Sequence, residues 1–306
     1  RITPGTITDF EYLEEEKHHF LSSAMVGETS SAYCVMDLST FDISCSGDQG
    51  HDHEKKVISE LESIGVAELL LAKDSKTDLR KTLLKEDYFD EKEAIKLATM
   101  FLKTPIQPKD YTKELLESLG ALLRYVQETQ QFSVNQQFYF NYITSHDRLY
   151  LDHQAMVNLE LFETIRTKQK KGSLLWAMDR SFNVMGKRAP REMIRYTLRD
   201  KVAIEDRLNS VEDFLQRPIL RGKLREALKQ VKDLERIMAK LVFGNLLPRD
   251  MEALFKSLEP MKALNALLDE TLYEKRLSEF SSLRLKYQDF FLEDLPLTLK
   301  DGGCIN

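Results

Sequence analysis

The sequence predicts a mixed α/β unit over residues 1–145 and a nearly all-helical unit over residues 146–306. Two observations predict this fold class. Short apolar runs and period-2 alternation dominate the first part, whereas apolar residues at spacings of three and four dominate the second. The charge changes at the same place, because the first part carries 15 Lys and Arg against 25 Asp and Glu, and the second carries 29 against 25. We therefore expect two domains with different neighbours.

The first part should form a sheet with helices packed on it. It begins with RITPGTITD, in which a Pro-Gly turn separates two β-branched segments. The segment SAYCVMDLSTFDISCSG alternates with period two and predicts a β-hairpin. A helix should follow and end at Gly65, leading into a buried strand at residues 68–71. A second amphipathic helix is predicted over residues 113–131, with these apolar residues on one side: Leu115, Leu116, Leu119, Leu122, Leu123 and Val126.

The second part should contain long helices. One is predicted from the apolar residues at positions 224, 227, 231, 234, 238 and 241, which are spaced alternately three and four apart. It should end at Gly244. Pro248 should open the next helix, and Pro260 should kink or break it. Long helices of this kind indicate a mechanical element.

The composition is that of an ordinary soluble globular protein. The 306 residues are 42% hydrophobic and 31% charged, which is too apolar for disorder. The sequence has no apolar run of about 18 residues and no signal peptide, so we expect no membrane span and a cytoplasmic protein. Cys34, Cys45 and Cys304 are widely spaced and odd in number, so we expect no disulfide framework and a reducing compartment.

The sequence predicts no catalytic residue, no metal and no cofactor in this segment. HDHE at residues 51–54 holds ligand-type side chains, but neighbours in a flexible loop do not converge on one ion, so we expect a solvated loop. Asp37 and Asp42 could begin a carboxylate cluster for two-metal phosphodiester cleavage, with Glu68 as the sole further acid in a predicted strand. The motifs G-x-x-x-x-G-K-[ST], G-x-G-x-x-G and G-x-S-x-G are all absent.

A basic run lies between residues 166 and 195. Nine Lys and Arg residues there accompany two acids, Asp179 and Glu192. Such a charge either contacts phosphates or neutralises an acidic domain or partner. The candidate phosphate contacts are Lys168, Lys170, Lys171, Arg191 and Arg195.

Several segments resemble the bacterial MutS family, the ATPases that recognise DNA mismatches. ITPGTITD is similar to the segment that opens the family's connector domain, AYCVMDLSTFDI resembles its hairpin, and GALLRYVQETQ resembles the helix that closes it. LDHQAMVNLEL, GSLLWAMDRSFNVMGKR and VKDLERIMAKLVFGNLLPRDMEAL resemble successive parts of the family's core, and LPLTLKDGGCIN resembles the strand that leads into the DNA clamp. The resemblance runs in order over essentially the whole chain.

The resemblance implies an RNase H-like connector domain over residues 1–145, without catalysis. It implies a helical core and lever domain over residues 146–306, truncated before the clamp. The segment would not itself be an enzyme and would link mismatch-bound duplex DNA to an ATPase domain that uses ATP and Mg²⁺ outside this chain. A MutL-type partner at the connector and a homodimer of the parent protein are also implied. The mismatch reader and the P-loop of the family would lie beyond the two ends of an excised segment.

A hinge is expected at Met185, Gly186, Lys187 and Arg188, where a flexible glycine lies between apolar and basic side chains. An ordinary helix start packed on the bundle would explain the same pattern.

The sequence departs from the family pattern at five positions. Phe41 stands where Gly is usual, which predicts an altered hairpin turn. Departures at Pro190, Met193 and Thr197 predict altered geometry after Gly186, and the remaining departure is Met156. Two alternatives stay open, namely a helical scaffold without a DNA role and an RNase H-like nuclease that uses Asp37.

Overall fold

The structure is a computed structural model. It describes residues 19–130, 137–143, 148–149, 151–242, 244, 246–271, 277, 280–292 and 295–296. The predicted turn at Pro4-Gly5 and the predicted strand end at Asp301-Gly302 lie outside these residues.

Packing divides the chain into two compact units. Unit 1 comprises Arg1–Asp179 and Pro190–Thr197, and unit 2 comprises Arg180–Ala189 and Leu198–Asn306. Residues 151–179 thus belong to the unit that contains the sheet, although the sequence pattern places them in the helical part. The domain boundary at residue 145 stays a prediction.

Unit 1 is built on a six-stranded mixed sheet in the order β5-β4-β1-β2-β3-β6. The strands are β1 (Phe20–Val26), β2 (Ser30–Asp37), β3 (Asp42–Gln49), β4 (Glu68–Leu71), β5 (Lys81–Leu83) and β6 (Tyr139–Tyr142). Strands β1 to β3 form an antiparallel meander, β4 is parallel to β1, and β6 is parallel to β3. In the described part of the chain, five α-helices lie wholly within unit 1, namely α1 (His53–Ile64), α2 (Glu91–Phe101), α3 (Lys113–Gln130), α4 (His153–Asn158) and α5 (Leu174–Met178).

The sheet is covered on both faces, by α1 on one side and α3 on the other. Tyr33 and Val35 of β2 pack with Val57 and Leu61 of α1 in one apolar cluster. On the opposite face, the hydroxyl of Ser23 lies 2.9 Å from that of Ser118 in α3. All eight residues of β2 are therefore buried, as is usual for a strand between two helix layers. The predicted apolar side of α3 is buried in full.

Glycine ends α1 as the sequence predicts. Gly65 follows the last helical residue with φ of +74° and donates its N–H to Leu61 and Glu62 carbonyls. This left-handed conformation is inexpensive for a residue without Cβ. The chain then enters β4 at the predicted residues 68–71.

The hairpin turn keeps a glycine-like backbone at Phe41. Phe41 has φ of +64°, and its N–H donates to the Asp37 carbonyl at 2.7 Å. Whether this turn differs from that of the family stays a prediction. Burial of the ring, which lies 6.0 Å from that of Phe138, offsets the cost of a positive φ.

Two further expectations about the first part are corrected. Cys34 and Cys45 are register partners on β2 and β3 and form a disulfide, although the residue count predicts none. His53 does not lie in a solvated loop; it begins α1, is buried, and its Nδ1 lies 2.7 Å from the Ser31 hydroxyl.

The regular secondary structure of unit 2 is helical within its described residues. Its helices are α7 (Lys201–Gln216), α8 (Pro218–Leu228), α9 (Leu234–Val242), α10 (Pro248–Leu258), α11 (Met261–Leu268) and α12 (Ser281–Phe290), and α6 (Val184–Arg195) contributes its first half. Within the described residues no helix crosses a membrane, since none combines the required length and apolar character. The predicted order of a mixed sheet followed by helices is confirmed.

The predicted long helix over residues 224–241 is wrong. It breaks into α8 and α9, with residues 229–233 between them. Leu224 and Val231 are buried, but Met238 and Leu241 are 44% and 45% exposed. Gly244 has the predicted left-handed φ of +71°. Pro248 opens α10, and the chain breaks at Pro260 before α11, as predicted.

Candidate functional site

The start of α6 is held by a side-chain cap rather than by a flexible glycine. Asn183 Oδ1 accepts a hydrogen bond of 2.7 Å from the Gly186 N–H, which satisfies one of the free donors of a helix N-terminus. A Cβ at position 186 would lie 2.5 Å from that oxygen. An alanine at position 186 would therefore force the Asn183 side chain out of its cap position. Met185 packs against the apolar cluster of unit 2, and Lys187 donates its N–H to the Asn183 carbonyl.

Helix α6 continues through Pro190. Proline has no N–H, so the Gly186 carbonyl loses its helical donor. The Ser181 hydroxyl donates to this carbonyl at 2.8 Å. The helix therefore passes the proline without leaving that acceptor unsatisfied, which is the local geometry that the departure at Pro190 produces.

Arg188 forms a buried ion-pair clamp with the start of α9. Its Nη1 and Nη2 donate to the two carboxylate oxygens of Asp233 at 2.6 and 2.8 Å, and Nη2 also contacts Glu235. The Arg188 side chain is 3% exposed. Burial by itself would lower the pKa of Arg188, but the hydrogen bonds that it donates to Asp233 and Glu235 outweigh burial, and the pKa is raised. The guanidinium is thus a fixed charge in this clamp.

The four predicted hinge residues are therefore brought together, and each is anchored within unit 2. Their partners Ser181, Asn183, Asp233 and Glu235 were not predicted from the sequence. Asn183 was recognisable from sequence as an N-cap residue type three positions before Gly186. The pairing with Asp233 had no local signal because 45 residues separate the two groups.

The predicted phosphate contacts differ in their exposure and in their ion pairs. Lys168 has φ of +52° and lies 3.6 Å from the Glu163 carboxylate. Lys170 pairs with Asp179 at 2.9 Å. Lys171 is exposed. Lys168, although near Glu163, and Lys171 are thus exposed cations that phosphates can reach. Lys170 is instead half-buried in a closer pair with Asp179.

Arg195 is not an outward-facing cation, which corrects the prediction for this residue. Its side chain is 4% exposed and pairs with Glu192 at 2.8 Å. Its Nη2 donates to the carbonyls of Ser63 and Ile64 at 3.2 and 3.3 Å. These are the last carbonyls of α1, so Arg195 caps that helix. Arg191 is half-buried on the same helix.

The three acids proposed for a nuclease do not all come together, because Asp37 and Asp42 line one cavity whereas Glu68 lies apart from them. Asp37 and Glu68 are the register neighbours of Phe20 and Leu21 on β1. Consecutive residues of a strand point to opposite faces, so the two acids lie on opposite faces of the sheet. Glu68 accepts from Tyr125 in α3, and Asp37 accepts from Ser39 within the hairpin turn. Among the described residues, no group of three or more His, Cys, Asp or Glu is placed to hold a metal.

A substitution at Gly186 should separate the cap from the flexible-hinge interpretation. Gly186→Ala should lower the free energy of unfolding, because the methyl group displaces Asn183 and the cap, worth about 1–2 kcal/mol, exceeds the gain of about 0.5–1 kcal/mol from Ala in a helix. The control is Gly222→Ala in α8, where nothing lies within 4 Å of a Cβ; this change should stabilise by about 0.5–1 kcal/mol. Urea unfolding followed by circular dichroism measures both, and a gain at Gly186 would contradict the cap.

The mixed sheet and the helical unit correspond to two domains of DNA mismatch repair proteins. The family model described as MutS domain II matches residues 20–138, and that described as MutS domain III matches residues 154–306. The chain therefore belongs to the MutS family.

Curated relatives match along almost the entire chain. The DNA mismatch repair protein MutS of Clostridium tetani is 32% identical over 99% of this chain and 36% of its own length. The proteins of the same name from Acetivibrio thermocellus and Staphylococcus epidermidis are 28% and 30% identical, each over 99% of this chain and over 37% and 34% of their own lengths. The chain thus spans about a third of the length of these relatives.

Proposed function

We propose that this chain is the connector and core segment of a mismatch repair protein and links mismatch-bound DNA to an ATPase domain beyond it. The observation that carries the proposal is α6, a single helix whose residues 184–189 pack in unit 2 and whose residues 190–195 pack in unit 1. A helix moves as a rigid element, so a displacement at one end is carried to the other.

Both halves of α6 are anchored by buried arginines. Arg188 binds Asp233 in unit 2, and Arg195 binds the end of α1 in unit 1. Anchors of this kind support the transmission role, because a helix that slips against its neighbours passes on no movement. The segment itself has no catalytic role in this proposal.

The remaining expectations belong to the whole protein. ATP and Mg²⁺ would be bound by the ATPase domain, and mismatched duplex DNA by parts outside this chain. A MutL-type protein would dock on the connector, and the whole protein would act as a cytoplasmic homodimer. The names of the relatives support the mismatch repair role.

Duplex binding by the isolated chain tests whether mismatch recognition and ATP hydrolysis lie outside it. The chain should bind DNA weakly, should not distinguish a homoduplex from a G·T-mismatched duplex, and should hydrolyse no ATP. Contacts from exposed cations are to phosphates, so affinity should fall steeply with salt. Fluorescence anisotropy of both duplexes at low and moderate salt, with an ATPase assay, measures this.

Charge variants make the test specific. The double variant Lys168→Gln/Lys171→Gln should weaken binding and flatten the salt dependence, whereas the exposed Lys262→Gln in α11 should change neither. A tenfold preference for the mismatch, equal to about 1.4 kcal/mol, would contradict the proposal, because this segment would then read DNA itself. Unaltered binding in the double variant would show that Lys168 and Lys171 do not contact the DNA.

The gene that encodes the chain separates the proposal from a helical scaffold. A downstream G-x-x-x-x-G-K-[ST] motif is expected, because the ATPase domain needs a phosphate-binding loop. Its absence from the complete reading frame would favour a scaffold without ATP-driven movement.

A further inference from the structure

Unit 1 contains a cavity of about 300 Å³ that none of the proposed functions uses. The end of α1, helix α4, the segment after it and the second half of α6 line the cavity. Its volume is at the lower end of the range of small-molecule sites.

One part of the cavity wall is apolar and another is cationic. Phe20, Ile64 and Phe162 form apolar wall, and Arg191 and Arg195 bring guanidinium groups. This combination of apolar surface with few charged groups is the usual composition of a site for a small organic ion.

The two arginines differ in how far their charges are compensated. Arg195 pairs with Glu192 and with two carbonyls of α1. Arg191 makes no hydrogen bond or ion pair to any residue of the described chain, and its guanidinium lies 5.2 Å from the centre of the Phe162 ring. Burial, followed by the nearby charge of Arg195, lowers the pKa of Arg191. A negative group beside Arg191 would therefore be favoured.

The neighbouring acids restrict the charge of the ligand. Glu163 also lines the cavity and is 3.6 Å from Lys168, and Glu192 is engaged by Arg195. A single uncompensated cation beside two carboxylates suits a monoanion better than a dianion. A carboxylate also matches the planar fork of a guanidinium.

We propose that this cavity binds a small monoanionic carboxylic acid, with its carboxylate on Arg191 and its apolar body against Phe20, Ile64 and Phe162. Bound ligand would lie beside the Arg195 cap of α1 and so would stabilise unit 1. The site is independent of DNA and of ATP.

Calorimetric titration of the whole chain with benzoate tests the site. Benzoate should bind saturably at millimolar concentration, as expected for so small a ligand. Benzamide, which has the same shape without the charge, should bind at least tenfold more weakly, and phenyl phosphate should also bind more weakly than benzoate. Equal binding of benzamide would overturn the charge recognition, and tighter binding of phenyl phosphate would overturn the choice of a monoanion.

Variants locate the binding. Arg191→Gln should weaken benzoate binding at least tenfold, whereas the exposed Arg199→Gln should leave it unchanged. Val157→Phe keeps Arg191 and fills space at the cavity wall, so it should also weaken binding. Circular dichroism and thermal unfolding confirm that each variant is folded. The proposal would be overturned if both cavity variants bound benzoate within twofold of the affinity of the unsubstituted chain. It would also be overturned if the unsubstituted chain showed no saturation up to about 50 mM benzoate.

Discussion

Replacing Leu264 by Ala should lower the free energy of unfolding of unit 2 by about 2–5 kcal/mol. Leu264 is 1% exposed and packs in a cluster with Leu224, Phe255 and Leu258. Removing its side chain loses apolar burial and leaves a cavity among residues from three helices. The loss should be large because neighbours fixed in separate helices cannot all move to fill the space.

The matched control for this change is Leu215→Ala in α7. Leu215 is 63% exposed, so its truncation should change stability by no more than about 0.5 kcal/mol. Urea unfolding is best followed by circular dichroism at the helical band, because the single tryptophan, Trp176, lies in unit 1. Equal losses in the two variants would mean that the assigned packing of α11 is incorrect.

The elements of unit 1 that were predicted correctly depend on sequence patterns within each element. The apolar spacing before Gly65, the strand at residues 68–71 and the apolar side of α3 all depend on neighbours within a few turns of chain. Helix α2 was missed, although Asp90 caps it by accepting from the Glu93 N–H at 2.8 Å. That signal was present in the sequence as an N-cap residue followed by acids.

The break between α8 and α9 shows why a heptad pattern was misleading. Asp233 accepts hydrogen bonds from Arg188, and the Lys232 N–H donates to the Ser257 hydroxyl at 2.9 Å. Both contacts are distant in sequence, and they hold the chain in a non-helical conformation between the two helices. Leu234 therefore begins a new helix and is half-buried, whereas the spacing placed it inside a continuous stripe.

The charge count around α6 was correct, but it did not distinguish buried from exposed cations. Arg188 and Arg195 belong to the same basic run as Lys168 and Lys171. The first two are buried with specific partners, and the latter two are exposed. A sequence gives the number of charges, whereas burial depends on which carbonyl or carboxylate the fold brings near each of them.

The Cys34–Cys45 pair follows from hairpin register. The two residues are equidistant from a turn between Ser39 and Thr40, so a hairpin centred there places them opposite each other. The predicted hairpin already contained this information. An odd number of cysteines argues only against complete pairing, and does not exclude one bond.

Removing the charge of Arg188 should have an effect of similar size to the core truncation, for a different reason. Arg188→Met keeps much of the apolar stem but leaves Asp233 with Arg236 alone, at 3.6 Å, and removes the cation that Asp233 shares with Glu235. Breaking a buried pair by removal of one partner costs about 3–5 kcal/mol, because the remaining charge stays poorly solvated. The control is Lys229→Met, which breaks a pair with Glu226 whose side chains are 53% and 71% exposed and should cost at most about 0.5 kcal/mol.

A double-mutant cycle and a pH comparison then identify the clamp as the cause of the loss. Arg188→Met with Asp233→Asn should recover part of the stability lost in Arg188→Met, because the charge left without Arg188 is gone while the side-chain oxygen can still accept from the Arg236 N–H. The folded-state pKa of Arg188 is raised above its ordinary value, so its contribution is fully present below the unfolded pKa and is lost only as the pH rises through the folded one. Both lie above the accessible range, and the loss caused by Arg188→Met should therefore be the same at about pH 7 and pH 9. A loss no larger than that of Lys229→Met, or a double variant less stable than the single one, would show that the clamp does not anchor α6, and the transmission role proposed for this helix would lose its support.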